Sequence, residues 1–346
     1  MSRIKQILAA ALALAVCCVC CSCNQSKTKT ILTVDGEKIP AGVYLLYLTQ
    51  EISALDEKIE EASFTGDKWS FTNDEIKNAK EWVKSEALED TLELVATEKK
   101  FAELNLSFTP EEQSNLNSVI DYYWANIGAS YEKMGISEAS FSRVYTAGSM
   151  ASEILESIYG EGGEQEITDD EYKAYMSENY SRVNHILISS QDEDGVDLTG
   201  DELAAAEAKA KELLAEAQTA DEETFRTLIR ENSKDYSESS DLDLGYVKPL
   251  ENSGYVTAFE DAVKALKPGE TSAELCKSEY GWHIIRRYEM FGDDLVKLDD
   301  YKATLRNTMK EDDFDAMKEA WAKELKYELV QASYDRYDPT DKKFAE

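Results

Sequence analysis

Thr72 with Glu75, Thr109 with Glu112, Thr168 with Glu171 and Thr199 with Glu202 each set a threonine three residues ahead of a glutamate. In that spacing the hydroxyl accepts an orphan backbone N–H of a first helical turn while the carboxylate reaches back to the cap, so each pair predicts a helix start. The punctuation agrees, because five prolines and sixteen glycines in 346 residues leave little to interrupt long helices. Helices are expected over 44–55, over 72–104 with Ile76, Val83, Leu88, Leu92 and Val95 on one apolar side, around Tyr122, Tyr123 and Trp124, over 137–159 and over 299–330. The aromatics and methionines of these helices read most simply as core, with an exposed apolar cradle as the alternative. Gly160-Glu161-Gly162-Gly163 is the clearest linker.

The texture changes in the middle. Val183 to Ser189 is a compact apolar run holding His185, Gly200 to Ala217 an Ala-rich helix, Glu223 to Asn232 a shorter one, and Leu242 to Val247 strand-like. A helix over Phe259 to Leu266 ends at Lys267-Pro268-Gly269-Glu270, and Gly281 to Arg287 reads as a last strand. Strands and helices alternate here, whereas Ile31 to Pro40, broken at Asp35-Gly36, is a short hairpin that opens the helical part. The expected fold class is α+β, a small α/β domain inserted between N- and C-terminal helical segments.

Arg3 and Lys5 precede an uncharged run from Ile7 to Cys21, too short for the ~20 apolar residues of a membrane-spanning helix. Residues 1–22 therefore read as an export signal. Five of the six cysteines lie at Cys17, Cys18, Cys20, Cys21 and Cys23, and a polar tether over 23–30 follows. The pattern resembles a bacterial lipoprotein signal. Cys23, with Ser22 before it, is the expected lipidation site and Cys17 its rival, which places the protein on the extracytoplasmic face of a cell membrane, held through its N-terminal lipid.

Beyond that segment only Cys276 remains, so no intramolecular disulfide framework supports the fold. As a nucleophile Cys276 is not supported, since no histidine is free to serve it as a separate base. A net charge of −33 disfavours nucleic acid as a partner, and two histidines exclude a multi-His metal site. The paired acids lack the spaced pattern of a calcium loop. No metal and no cofactor are expected. A solute-binding lipoprotein would need two α/β lobes, and there is one α/β segment.

Five ordered blocks resemble parvulin-type peptidyl-prolyl isomerases: Val183-Asn184-His185-Ile186-Leu187-Ile188; Phe225 to Ile229 with Asn232-Ser233-Lys234-Asp235; Asp243-Leu244-Gly245; Phe259 to Glu270; and Tyr280-Gly281-Trp282-His283-Ile284-Ile285. The flanks Val34 to Ile39 and Ile167 to Tyr172 resemble exported foldases of the PrsA and SurA type, and with the lipoprotein signal the PrsA type is nearer. The resemblance implies a parvulin domain over 181–290, reached through a linking helix at 166–180. Around it, residues 31–165 and 291–346 would build one chaperone-like helical module.

It further implies His185, Asp235 and His283 as catalytic residues and Leu244, Tyr255 and Phe259 as substrate-binding ones. The reaction would be cis/trans isomerisation of X-Pro bonds in unfolded or partly folded exported proteins, and a homodimer is left open. Three departures bear on the site. Asp241-Leu242 stands where relatives often have Gly-Gly, Tyr255 where many have Met or Leu, and Lys248 to Ser253 is longer than usual. The rival expectation is a catalytically weak or inactive holdase that binds the same clients.

Overall fold

The structure, a computed structural model, describes residues 29–293 and 295–344. The export signal, Cys23 and the tether as far as residue 28 lie outside the described residues. The chain divides into two compact units, one formed by residues up to Glu166 and from Met309 onward, the other by Ile167–Thr308.

In the first unit β1 (Thr30–Val34) and β2 (Glu37–Pro40) form the expected hairpin, with Asp35 and Gly36 both at positive φ. Four helices follow: α1 (Ala41–Glu61), α2 (Ala79–Glu103), α3 (Pro110–Met134) and α4 (Glu138–Tyr159). Thr109 closes a full capping box with Glu112 at the head of α3. The Thr72–Glu75 pair starts no helix. Instead Asn73 Oδ1 accepts the N–H groups of Glu75 and Ile76 and closes a separate turn, and Asn78 caps α2 by accepting the amides of Lys80 and Glu81.

The second unit opens with α5 (Asp169–Asn179), capped by the Thr168–Glu171 box. There follow β3 (Tyr180–Ser189), α6 (Gly200–Ala217), α7 (Glu222–Asn232), β4 (Tyr246–Pro249), α8 (Thr257–Ala265), β5 (Cys276–Ser278) and β6 (Gly281–Tyr288). Thr199 precedes α6, but its side chain makes no cap hydrogen bond. The antiparallel sheet has the order β4-β3-β6-β5. Alternation splits its residues between two faces. Ile186, Ile188, Trp282 and Ile284 pack with Phe225, Leu228 and Ile229 of α7 on one, and Val183 and Ile285 pack with Phe259 and Val263 of α8 on the other.

After Gly292 the chain returns to the first unit through α9 (Lys302–Glu324), β7 (Tyr327–Leu329) and the single turn α10 (Gln331–Tyr334). The helix expected to run to Val330 stops at Glu324, because Tyr327–Leu329 pairs with β1 in the register Leu32↔Leu329 and Val34↔Tyr327. The two flanking segments thus share one core, in which Ile31, Tyr44, Leu48 and Val83 are buried with Tyr337 and Phe344. Tyr122 and Tyr123, expected in the core, are exposed, since α3 buries only a narrow stripe through Leu116, Ile120 and Gly128. No helix among the described residues is long and apolar enough to cross a membrane.

Candidate active site

β3 and β6 bring the two histidines together. Their register sets His185 opposite Ile285 and Leu187 opposite His283, so the imidazoles are diagonal neighbours on the face covered by α8. The rings stack at 16° with centroids 5.3 Å apart, and the two Nδ1 atoms are 3.1 Å apart. β6 can lie this close because Gly281, at φ 141°, passes where a Cβ would stand 2.1 Å from the Ile188 carbonyl.

Asp235 reaches the pair through its neighbours. β4 covers β3 only from Tyr180 to Val183, leaving the edge beyond free. There Ser233 Oγ accepts the Leu187 N–H at 2.9 Å, and the Lys234 N–H donates to the Leu187 carbonyl at 2.8 Å. Asp235 Oδ2 then lies 2.8 Å from His185 Nε2, and the Tyr246 hydroxyl donates to the same oxygen at 3.4 Å. At the other end Ser278 Oγ is 2.7 Å from His283 Nε2 and accepts the Tyr280 N–H at 3.1 Å.

With both rings neutral, one proton assignment satisfies every bond. Ser278 O–H donates to His283 Nε2, His283 Nδ1–H to His185 Nδ1, and His185 Nε2–H to Asp235. Electrostatics support it. Burial, helped by the neighbouring His185, pushes His283 down to about 4 against the pull of Asp235. The hydrogen bond from His185 holds the Asp235 carboxyl below the usual carboxylate range despite partial burial.

The floor is apolar. Phe259 stands edge-on to both imidazoles, with centroids 5.0 Å from His185 and 5.1 Å from His283, and Tyr255 packs on it at 4.8 Å. The long segment before Tyr255 is pinned: Glu260 accepts from the backbone and hydroxyl of Ser253, and Ser253 Oγ accepts the Tyr255 N–H. Burial drives the Tyr255 hydroxyl upward in pKa. Cys276 donates its thiol to the Ala258 carbonyl at 3.2 Å, and burial, with Asp261 nearby, raises its pKa, the reverse of what a nucleophile needs.

Five of the six residues expected from the sequence therefore meet: His185, Asp235, His283, Tyr255 and Phe259. Leu244 lies elsewhere. Its carbonyl and that of Asp243 are gripped by Arg182 at 2.7 Å each, and it is not among the side chains packed with Phe259. The strand expected from Leu242 starts only at Tyr246, because Asp241 Oδ1 accepts the amides of Asp243 and Leu244 and holds a turn. Ser278 and Tyr246 went unpredicted. The signal for Ser278 was present, since a tight turn at Glu279-Tyr280 sets Cys276 opposite His283 and puts Ser278 diagonally beside it.

Residues 185–289, bounded near each end by one of the two histidines, match the family model of the PPIC-type PPIase domain, or rotamase. The chain carries a parvulin-type peptidyl-prolyl cis-trans isomerase domain. It is similar to the chaperone SurA of Aromatoleum aromaticum, at 30% identity over 150 residues covering 42% of this chain and 30% of the relative. It is also similar to the foldase protein PrsA of Clostridium perfringens, at 27% identity over 175 residues and 46% of each chain. The matched stretches thus span less than half of these relatives' length. Among solved structures, PrsA of Lactococcus lactis aligns over 89% of this chain and 97% of its own at 15% identity, with a TM-score of 0.36.

Proposed function

We propose that this chain is a lipid-anchored, extracytoplasmic foldase that accelerates rotation about X-Pro bonds in exported proteins. The observation that carries the reading is the directional chain from Ser278 through His283 and His185 to Asp235, set over the Phe259 floor. Uncatalysed rotation faces ~18–20 kcal/mol of lost amide resonance, and no bond to the enzyme is required to lower it. An apolar floor holds the proline ring, and a fixed array of polar groups at its rim, ending at the ionised Asp235, favours the twisted imide over the planar one. Unfolded or partly folded exported proteins are the proposed clients, consistent with relatives named chaperone and foldase.

The test is isomerisation of X-Pro peptides. Asp235→Ala should lower kcat/KM with the melting temperature nearly unchanged, since the Asp235 side chain is half exposed. A folded wild type no faster than the spontaneous reaction would sink the proposal. For the anchor, Cys23→Ala should release the protein from membranes or leave an unprocessed precursor. Continued lipid incorporation by that variant would point to another cysteine.

A holdase reading has its own support in the first unit. Tyr123 and Tyr145, both exposed, lie 5.6 Å apart, and Tyr122 extends the row. Exposed rings in a row offer apolar contact to unfolded chains. This reading requires suppression of client aggregation to persist in Asp235→Ala and to fall when Tyr122 and Tyr123 become serine.

A further inference from the structure

Buried and partly buried arginines in this chain are answered in different ways. Arg143 meets Glu98 at 2.6 Å and Glu37 at 3.0 Å, and Arg182 meets Asp293 at 2.8 Å. Arg286 meets no acid at ion-pair distance among the described residues but uses Nε and both terminal nitrogens, on Thr271 and the carbonyls of Ala217, Ala220 and Asp221. Arg287 is 7% exposed and donates only from its terminal nitrogens, to the carbonyls of Leu266 at 2.7 Å, Val263 at 3.5 Å and Tyr180 at 3.4 Å. Its Nε–H has no partner among the described residues. Burial lowers its pKa, opposed by Glu289, an exposed residue two positions along the chain.

A guanidinium stays charged in a protein, and a buried charge without a counter-ion is costly. Arg287 also lines a cleft of about 300 Å³, walled by Tyr180, Tyr288, Phe291 and Pro268. That volume is at the low end of ligand pockets, enough for one apolar side chain with a small polar group. A carboxylate matches the planar fork in two parallel hydrogen bonds, and the rings accept the apolar body that brings it. Glu289, which lines the same cleft, opposes any anion, so a carboxylate held there needs the apolar contact of the rings as well as Arg287.

We propose that the cleft at Arg287 is a second binding site of this unit, for a carboxylate attached beside an apolar or aromatic side chain, supplied by the free C-terminus of a polypeptide or by an acidic side chain next to an aromatic one. It is separate from the histidine pair. Arg287 is on the same face of β6 as His283 but four residues along, about 13 Å at strand rise. α8 connects the two places, with Phe259 under the histidines and the Leu266 carbonyl at its far end held by Arg287.

The experiment uses the full chain and proline-free peptides, which leave isomerisation out of the readout. The probes are acetyl-Ala-Ala-Phe with a free carboxylate, its C-terminal amide, and acetyl-Ala-Asp-Phe amide. Binding is followed by calorimetry and by the Arg287 Nε–H signal in NMR. The free acid should bind at least about tenfold more tightly than the simple amide, as expected for a bidentate charged pair. Binding should be lost in Arg287→Gln and in Ser177→Trp, which fills the cleft from an exposed position on α5. Phe259→Ala should bind like wild type. If the Asp-containing amide equals the free acid, the site takes acidic side chains as well as chain ends. Equal binding of acid and simple amide overturns the proposal, as does unchanged binding in Ser177→Trp, which decides the matter if Arg287→Gln does not fold. Isomerase activity should be unaltered in Ser177→Trp, so failure of the isomerase reading and failure of this one are separately visible.

Discussion

The Nδ1 atoms of His185 and His283 lie 3.1 Å apart, and since only one of them can hold a proton between them, that contact gives a direction to every other hydrogen bond in the site. Asp235 at one end accepts, so Ser278 at the other must donate. Ser278, like Asp235 at the other end, can be removed without altering either ring.

Ser278→Ala should leave His283 Nε2 without its donor. An unmet buried acceptor costs about 1–3 kcal/mol, so a modest fall in melting temperature is expected. Loss of about 1 kcal/mol from the transition state would lower kcat/KM about fivefold. Ser278→Thr, which restores the hydroxyl, should recover most of the rate. A Ser278→Ala enzyme with wild-type rate and stability would mean that His283 does not depend on this donor.

Phe259 and Phe225 are both buried, on opposite faces of the same sheet, which makes them a matched pair. Truncation to alanine should destabilise each variant by about 3–5 kcal/mol through lost burial and the cavity left behind. Only Phe259→Ala removes the floor under the imidazoles. At a temperature where both variants are folded, it alone should raise KM for X-Pro peptides. An equal effect of Phe225→Ala would reduce Phe259 to packing.

Much of the second unit was legible because its signals are local or carried by recognisable blocks. Phe225 to Ile229, the buried side of α7, stand in a block carried by resemblance, and Thr168 with Glu171 marks α5 by local spacing. His185, Asp235 and His283 were named through resemblance, since nothing in local spacing brings residues 50 and 98 positions apart into contact. Competition hid other features. Thr72 lost to Asn73 and Asn78, which offer nearby amides an alternative acceptor. β7 was invisible because its partner Leu32 is almost the whole chain away, and the exposure of Tyr122 depends on how little of α3 its neighbours cover.

His283 yields a pH prediction with a definite sign. Its folded pKa, pushed down to about 4, is below the ordinary value near 6.5. Its contribution to stability is therefore fully present above pH 6.5 and is lost as pH falls through 4. Nitrogen-15 NMR should show His283 neutral, with the proton on Nδ1, from pH 8 down to about 5. A doubly protonated His283 at pH 6 would contradict both the burial argument and the assigned hydrogen-bond directions.

In the first unit a carboxyl pair reverses that sign. Asp90 of α2 is buried against Glu51 of α1, and its pKa is pushed up to about 8, first by desolvation and then by the charges of Glu51, Glu93 and Glu86 and the hydrogen bond shared with Glu51. In the unfolded chain the same group ionises near 3.9. Between those values the folded state holds a proton that the unfolded state has released, so stability is fully present below pH 4 and is lost as pH rises through 8. Asp90→Asn keeps the shape and a hydrogen bond to Glu51 but cannot ionise. Relative to the wild type, its urea midpoint should rise steadily between pH 4 and pH 8 and level off above that, at equal m-value so that the comparison reports stability alone. Parallel pH profiles for the two proteins would show that Asp90 is already ionised in the fold, and the pairing with Glu51 would then have to be abandoned.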